Sequence, residues 1–133
     1  MKPEEIVEEL NHLMAEEVEA FLRYFQLRHR VSESETDFFE KAMEETIEHG
    51  EAIAKHIRAL GHTPKLNIKL SVHGGPLSLK EALGEALIFE QQALDAYKDM
   101  LPGVKGDGVL EEFIRKQIAT ESEHVAEITT LLK

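Results

Sequence analysis

The sequence is expected to fold as an all-α four-helix bundle with a long crossover between its second and third helices. Three observations carry this: four long segments with apolar residues at helical spacing, Pro and Gly gathered between those segments, and a middle connector far longer than the other two. The 133 residues suit one domain, residues 1–133, since single domains usually run to about 100–200 residues. A hydrophobic fraction of 42% can build a core, while 31% charged residues and only 4 Pro leave little room for disordered tracts.

The first helix is expected from Pro3, a good first-turn residue, to about Val31, with Ile6, Leu10, Leu13, Phe21, Tyr24 and Leu27 as its apolar stripe. A polar turn from Ser32 to Asp37 separates it from a second helix, about Asp37 to Leu60, which Gly61 is placed to end. Phe38, Ala42, Ile53 and Ile57 face inward on that helix. The connector from Gly61 to Leu77 holds two prolines and three glycines, and its middle, Leu66 to Val72, reads as extended. A connector this long can run the length of a bundle and start the next helix from the same end. Ser78 with Glu81 forms a capping-box pattern opening the third helix, which ends near Leu101-Pro102-Gly103. The fourth helix runs from about Val109 to Leu132.

Composition narrows function by exclusion. A formal net charge of −11 repels nucleic-acid phosphates and anionic membranes and attracts cations. No apolar run reaches the ~18–20 residues of a membrane span, and the acidic start is unlike a signal peptide, so a cytoplasmic protein is expected. With no cysteine, any metal must be held by oxygen and imidazole nitrogen.

The informative residues are polar ones on apolar stripes. Leu10, Leu13, Glu17, Phe21 and Tyr24 step by three and four, which turns Glu17 toward the core. Leu83, Leu87, Glu90, Leu94 and Tyr97 do the same for Glu90. Phe38, Ala42, Glu45, His49 and Ile53 share one face of the second helix, and Leu110, Ile114, Gln117, Glu121, His124 and Ile128 share one face of the fourth. Burying that many ionised groups costs several kcal/mol each, of order, unless they are paired or bound to a cation. Two divalent metals would offset most of that charge, and ferrous iron or manganese accepts mixed carboxylate and imidazole ligands. Glu121-Ser122-Glu123-His124 has the Glu-x-x-His spacing of dinuclear carboxylate bundles. Tyr24 and Tyr97 read as core residues whose hydroxyls bond the site carboxylates. His12, His29, His62 and His73 read as surface or loop residues, and His56 as lying near the bundle end.

A weak internal repeat accompanies the pattern. Glu17 and Glu90 are each followed by a Tyr seven residues on, and the second and fourth helices match at an offset of 75: Phe38 with Phe113, Lys41 with Lys116, Glu48 with Glu123, His49 with His124, Ile53 with Ile128. Two similar helical hairpins would set their ligands around a pseudo-twofold axis.

At these residues the chain resembles the bacterioferritin and rubrerythrin branch of the ferritin-like di-iron superfamily, over nearly its whole length. The resemblance implies a ferritin-like bundle in which Glu17 and His49 hold one iron, Glu90 and His124 the other, and Glu121 bridges. It also implies a second bridging Glu three residues before His49, where this chain has Thr46. Glu45 is the nearest substitute, its direction on an ideal helix about 40° from that of His49 against about 60° for position 46. A π-bulge would let it bridge; the alternative is an asymmetric site with one ion held loosely. The further rubrerythrin Glu is replaced by Ala93, and the cysteine-rich rubredoxin domain is absent, so the bacterioferritin pattern is closer. The methionine that holds haem in bacterioferritins is replaced by Ile47, and no haem is expected.

The resemblance implies two iron ions per chain, with manganese an alternative, and dioxygen or peroxide as the partner of an oxidoreductase or ferroxidase reaction. The competing readings are a non-catalytic metal-binding or iron-storage protein, and a scaffold that has lost one metal through Thr46. The chain ends at Lys133 without a fifth helix, from which a homodimer or small homo-oligomer is expected rather than a closed cage.

Overall fold

The computed structural model describes residues 1–71 and 73–133. Four helices form the bundle: α1 (Pro3–Arg30), α2 (Asp37–Ala59), α3 (Leu79–Met100) and α4 (Gly108–Leu131). Single 3-10 turns, Glu33–Glu35 and Leu101–Val104, sit in the two short connections. The expected fold class and helix order are observed, with bounds within a residue or two of those read from the sequence. None of the helices is long and apolar enough to cross a membrane, among the described residues.

The ends of the helices follow from local chemistry. Pro3 occupies the first turn of α1, where a missing N–H costs nothing. α2 ends in a Schellman arrangement, with Gly61 N–H donating to Arg58 O and His62 N–H to Ile57 O. That geometry puts Gly61 at φ 84°, a region glycine reaches without a Cβ clash. Ser78 and Glu81 close the reciprocal capping box of α3, and the Asp107 side chain accepts from Leu110 N–H at the start of α4.

The connector between α2 and α3 travels along α1. Lys65 N–H donates to Asn11 Oδ1 at 2.8 Å, Lys69 N–H to Glu19 Oε1 at 2.7 Å, and Leu77 N–H to Arg30 O at 2.8 Å. From position 65 to 69 an extended chain advances about 13 Å, and from position 11 to 19 a helix advances about 12 Å. The two lengths agree, so the crossover is extended because it must keep pace with α1. Two side chains of α1 and the Arg30 carbonyl at its end serve as partners of the connector's backbone in place of a neighbouring strand. Val72, the last residue of the expected extended stretch, lies outside the described residues.

α1 packs on α2, α3 on α4, and α1 on α3. Two apolar clusters fill the interior, one around Leu10, Leu13, Ile53, Ile57, Met100 and Ile114, the other around Leu27, Phe39, Met43, Leu83, Phe89 and Ile128. Between them lie five buried polar residues: Glu17, Thr46, Glu90, Gln117 and Glu121. The bundle therefore has a polar layer at mid-height between two apolar ends.

One stripe differs from expectation. On α2 the buried column is Phe39, Met43, Thr46, Gly50, Ile53 and Ile57, one residue round from the Phe38, Ala42, Glu45, His49 face. Met43 is a larger apolar group for the core than Ala42, and at Gly50 α2 lies against α1 at a distance where an added Cβ would make ordinary contact with Glu17 Cβ and Val18 Cγ2 at 3.8 Å. Phe38, Ala42, Glu45 and His49 consequently line the flank of the helix, half-buried.

Two glycines should respond in opposite directions to substitution. Gly61→Ala forces a Cβ into positive φ and should destabilise by about 1–2 kcal/mol, whereas Gly84→Ala, in open space on α3, should stabilise by about 0.5–1 kcal/mol. Thermal unfolding followed by circular dichroism reads both; a Gly61→Ala melting point at or above the wild type would contradict the capping assignment.

Candidate metal centre

Each helix contributes to the polar layer. Glu17 of α1, Glu90 of α3 and Glu121 of α4 are only 3%, 4% and 2% exposed, and the half-buried rings of His49 from α2 and His124 from α4 face them. The two imidazoles lie nearly parallel, with centroids 6.1 Å apart. His49 Nδ1 stands 3.5 Å from both Glu17 Oε2 and Glu121 Oε1. His124 Nδ1 stands 3.3 Å from Glu90 Oε2 and 3.7 Å from Glu121 Oε2. Two sets of donor atoms result, Glu17 with His49 and Glu121, and Glu90 with Glu121 and His124, each with its atoms within 4.8 Å of one another. Glu121 belongs to both.

Two tyrosines hold the carboxylates in place. Tyr24 of α1 donates to Glu90 Oε1 of α3 at 2.9 Å, and Tyr97 of α3 donates to Glu17 Oε1 of α1 at 2.8 Å. The Glu-to-Tyr spacing repeated in the sequence thus works in crossed fashion, each tyrosine serving the carboxylate of the other helix. Gln117 Nε2 donates in turn to the Tyr97 hydroxyl at 3.4 Å. The crossing and the Gln117 contact are absent from the sequence reading, because spacing along a helix says nothing about which neighbour a side chain meets.

The electrostatics follow from close charges in a low-dielectric layer. Burial works against a charged His49, yet the Glu121 and Glu17 carboxylates outweigh it and lift the imidazole to about 10. His124 is lifted likewise to about 11 by Glu121 and Glu90, again against burial. Burial raises Glu90 to about 7, with Glu121 adding to the shift and His124 opposing it. Glu121 suffers the same burial, but contacts with His124, His49 and Glu90 bring it below its ordinary value. Burial first, then Glu90 for Tyr24 and Glu17 for Tyr97, push both phenols well up, so they remain donors.

Even so, polar groups are left over. His49 Nδ1 and Glu121 Oε2 are buried without a hydrogen-bond partner, a condition that costs about 1–3 kcal/mol per group. Both belong to the donor sets above. An oxygen and imidazole set holding one unpartnered atom in the His49 ring and one on the shared Glu121 fits a divalent cation of the iron or manganese type.

Glu45 takes a different place from the one expected of a bridge. α2 is α-helical throughout, without a π turn, and Glu45 stays on its flank, 33% exposed in its side chain. Its Oε2 meets His124 Nε2 at 2.7 Å, at the ring nitrogen other than the one facing Glu90 and Glu121. Thr46 occupies the buried position instead, 5% exposed, and its hydroxyl donates back to the Ala42 carbonyl. Of the remaining histidines, His12 pairs with Glu16 on the surface and the His56 ring lies against Phe113 at a tilt of 41° towards the bundle end.

The profile of the ferritin-like domain family matches residues 7–133. No curated protein matches the chain. Among solved structures, a Bacillus anthracis protein described as ferritin-like and diiron-carboxylate is 24% identical, with all of both chains covered and a TM-score of 0.87. A Rhodobacter capsulatus bacterioferritin, described with a metal-free dinuclear site and haem iron, is 27% identical over 96% of this chain and 83% of its own, with a TM-score of 0.79. A Bacteroides fragilis bacterioferritin-related protein, described as a dodecameric thioferritin, is 21% identical over 99% and 86%, with a TM-score of 0.87.

Removing one tyrosine hydroxyl should be costly because its carboxylate is buried. Tyr97→Phe leaves Glu17 Oε1 without its donor and should lower the stability of the metal-free protein by about 1–3 kcal/mol. Urea unfolding of the two proteins tests it, and coincident transitions would show that the Tyr97 bond contributes nothing.

Proposed function

The chain belongs to the ferritin-like domain family, and on that premise we propose that it binds two iron ions between Glu17, His49, Glu90, Glu121 and His124 and passes electrons from iron to dioxygen or peroxide. One observation carries this reading: two donor sets, each with a histidine Nδ1 and two buried carboxylates, share Glu121. A shared carboxylate is what a dinuclear centre needs. The Bacillus anthracis structure, described as diiron-carboxylate, supports the choice of iron, and the dinuclear site described for the Rhodobacter capsulatus protein supports a two-metal reading; manganese satisfies the same donors.

When bound, a pair of redox-active ions supplies the electrons and the Lewis acidity. The residues of the chain do the rest. Glu17 with His49 and Glu90 with His124 form the two terminal pairs, and Glu121 spans them. Tyr97 and Tyr24 each occupy one oxygen of Glu17 and Glu90, which fixes the orientation of the other. His49 and His124 must release their protons to ligate, so cation binding competes with the imidazolium forms the carboxylates favour. Glu45 grips His124 Nε2 and holds the ring with Nδ1 toward the centre, as carboxylates behind metal-binding histidines do. Thr46, tied to Ala42, is no ligand.

Iron can be resident or cargo here. Likeness to a bacterioferritin over 83% of its length and to a bacterioferritin-related protein over 86% keeps a binding and storage role beside the catalytic one. Oxygen or peroxide consumption per ferrous ion added separates them: sustained turnover marks a catalyst, a single stoichiometric oxidation a store. We also propose a homo-oligomer, which the dodecamer described for the Bacteroides fragilis relative supports.

Titration with ferrous iron or manganese under argon, with metal content by elemental analysis, tests the ligand assignment. Wild type should hold two ions and His124→Ala one, with helicity retained. Glu121→Ala should disturb both sites, whereas Glu45→Ala should keep both and weaken one by about 10–100-fold. Unchanged metal content in His124→Ala would remove that residue from the ligand set, and a loss in Glu45→Ala as severe as in Glu121→Ala would make Glu45 a ligand.

A further inference from the structure

The two crossed tyrosines are held in place by different means. Tyr24 is surrounded by rings, with the centroids of Phe89, Phe38 and Phe39 at 4.8, 6.2 and 6.3 Å. Such edge-on and tilted contacts fix the plane of its ring. Tyr97 belongs instead to the cluster of Leu10, Leu13, Ile53, Met100 and Ile114, and none of the ring pairs among the described residues includes it.

Tyr97 has an amide in place of those rings. Gln117 of α4, 5% exposed, donates from Nε2 to the Tyr97 hydroxyl at 3.4 Å, and that hydroxyl donates to Glu17 Oε1 at 2.8 Å. A phenol has one proton, and that of Tyr97 goes to Glu17, so its oxygen can only accept, which fixes the amide with its nitrogen toward the hydroxyl. Side chains of α4, α3 and α1 thus form one directed chain of hydrogen bonds. Each bond in such a chain polarises the next, so the amide strengthens the bond that Tyr97 makes to Glu17.

Packing alone favours an aliphatic group at this position. Gln117 lies on the buried stripe of α4 with Leu110, Ile114 and Ile128, where an amide is unfavourable unless its hydrogen bonds compensate. The matching position of the pseudo-twofold partner shows the alternative. At the offset of 75 that aligns His49 with His124, Gln117 corresponds to Ala42. Ala42 and Thr46 line a cavity beside Tyr24, and the Ala42 methyl offers no donor. The relay therefore serves one half of the layer. It ends on Glu17 Oε1, and the other oxygen, Oε2, is the one that faces His49 Nδ1 at 3.5 Å.

We propose that Gln117 is a positioning residue for the Glu17 half of the centre: acting through Tyr97, it holds Glu17 Oε1 and so presents Oε2 to a cation shared with His49 and Glu121. The inference rests on the dinuclear reading above and deepens it, because the two sites then differ in what supports them. Gln117 stands one hydrogen bond behind the partner of the ligand. Its removal should weaken binding about tenfold, the lower end of the range for groups behind metal ligands, and should leave the Glu90 donor set unchanged.

The test begins on the metal-free full chain. Tyr24 and Tyr97 are its 2 tyrosines, so isotope labelling at the phenol Cζ gives one NMR resonance for each, assigned with Tyr24→Phe and Tyr97→Phe. Gln117→Leu should shift the Tyr97 resonance and leave that of Tyr24 in place. Titration with manganese(II), with metal content by elemental analysis, follows. Wild type and Gln117→Leu should each hold two ions, one of them bound about tenfold more weakly in the variant. That loss should vanish when Tyr97 is already Phe and persist when Tyr24 is Phe, a pattern that loosened packing does not produce. Gln117→Met, unbranched and of similar length, should repeat these results and guards against a folding defect in the leucine variant. An unmoved Tyr97 resonance, an equal loss at both ions, or a full loss in the Tyr97→Phe background would overturn this inference alone. A wild-type chain that takes up no manganese would overturn the dinuclear reading and the affinity role of Gln117 with it.

Discussion

Carboxylates packed at mid-height in a helical bundle dominate the energetics of this protein. Three of them, on α1, α3 and α4, are nearly free of solvent contact, and each would cost several kcal/mol, of order, if left ionised without a partner. The fold answers with two imidazoles, two phenols and one amide in the same layer. Apolar clusters above and below exclude water and supply the stability that a polar layer does not. The protein groups leave His49 Nδ1 and Glu121 Oε2 without a hydrogen-bond partner, and the proposed cations would engage them.

The crossed tyrosines tie this layer to the topology. Tyr24 and Glu17 sit on α1, Tyr97 and Glu90 on α3, and each hydroxyl crosses to the other helix. That exchange requires α1 and α3 to be packed neighbours, as observed. It also requires α3 to run antiparallel to α1, which the crossover arranges by carrying the chain along α1 from Asn11 to Arg30 before α3 begins. A short connection after α2 would have reversed α3 and separated the pairs.

Much of this was legible in the sequence because helical periodicity is a strong signal. Glu17, Glu90 and Glu121 stand out as charged residues on long apolar stripes, and the Ser78 and Gly61 ends have local chemistry that needs no tertiary partner. The face of α2 was harder to place. Phe38 and Phe39 are adjacent and equally apolar, so periodicity does not fix the rotation of that helix, and packing of Phe39 and Met43 in the core decided it. The one-residue turn put Thr46 inside and left Glu45 on the flank, beside His124. Contacts between helices, including the crossed tyrosine bonds, were not legible because they depend on the distance and rotation of whole helices.

The pseudo-symmetry gives the centre two unequal halves, one crowded by Gln117 and Glu121 and one open beside Ala42 and Thr46. Both halves nevertheless present a histidine, a terminal carboxylate and a share of Glu121, and the account stands or falls on that sharing. Anomalous scattering from crystals soaked in ferrous iron or manganese tests it most directly. Two peaks are predicted in each chain, one among Glu17, His49 and Glu121 and one among Glu90, Glu121 and His124. Peaks confined to the acidic surface, or no peak in contact with Glu121, would contradict a shared dinuclear centre.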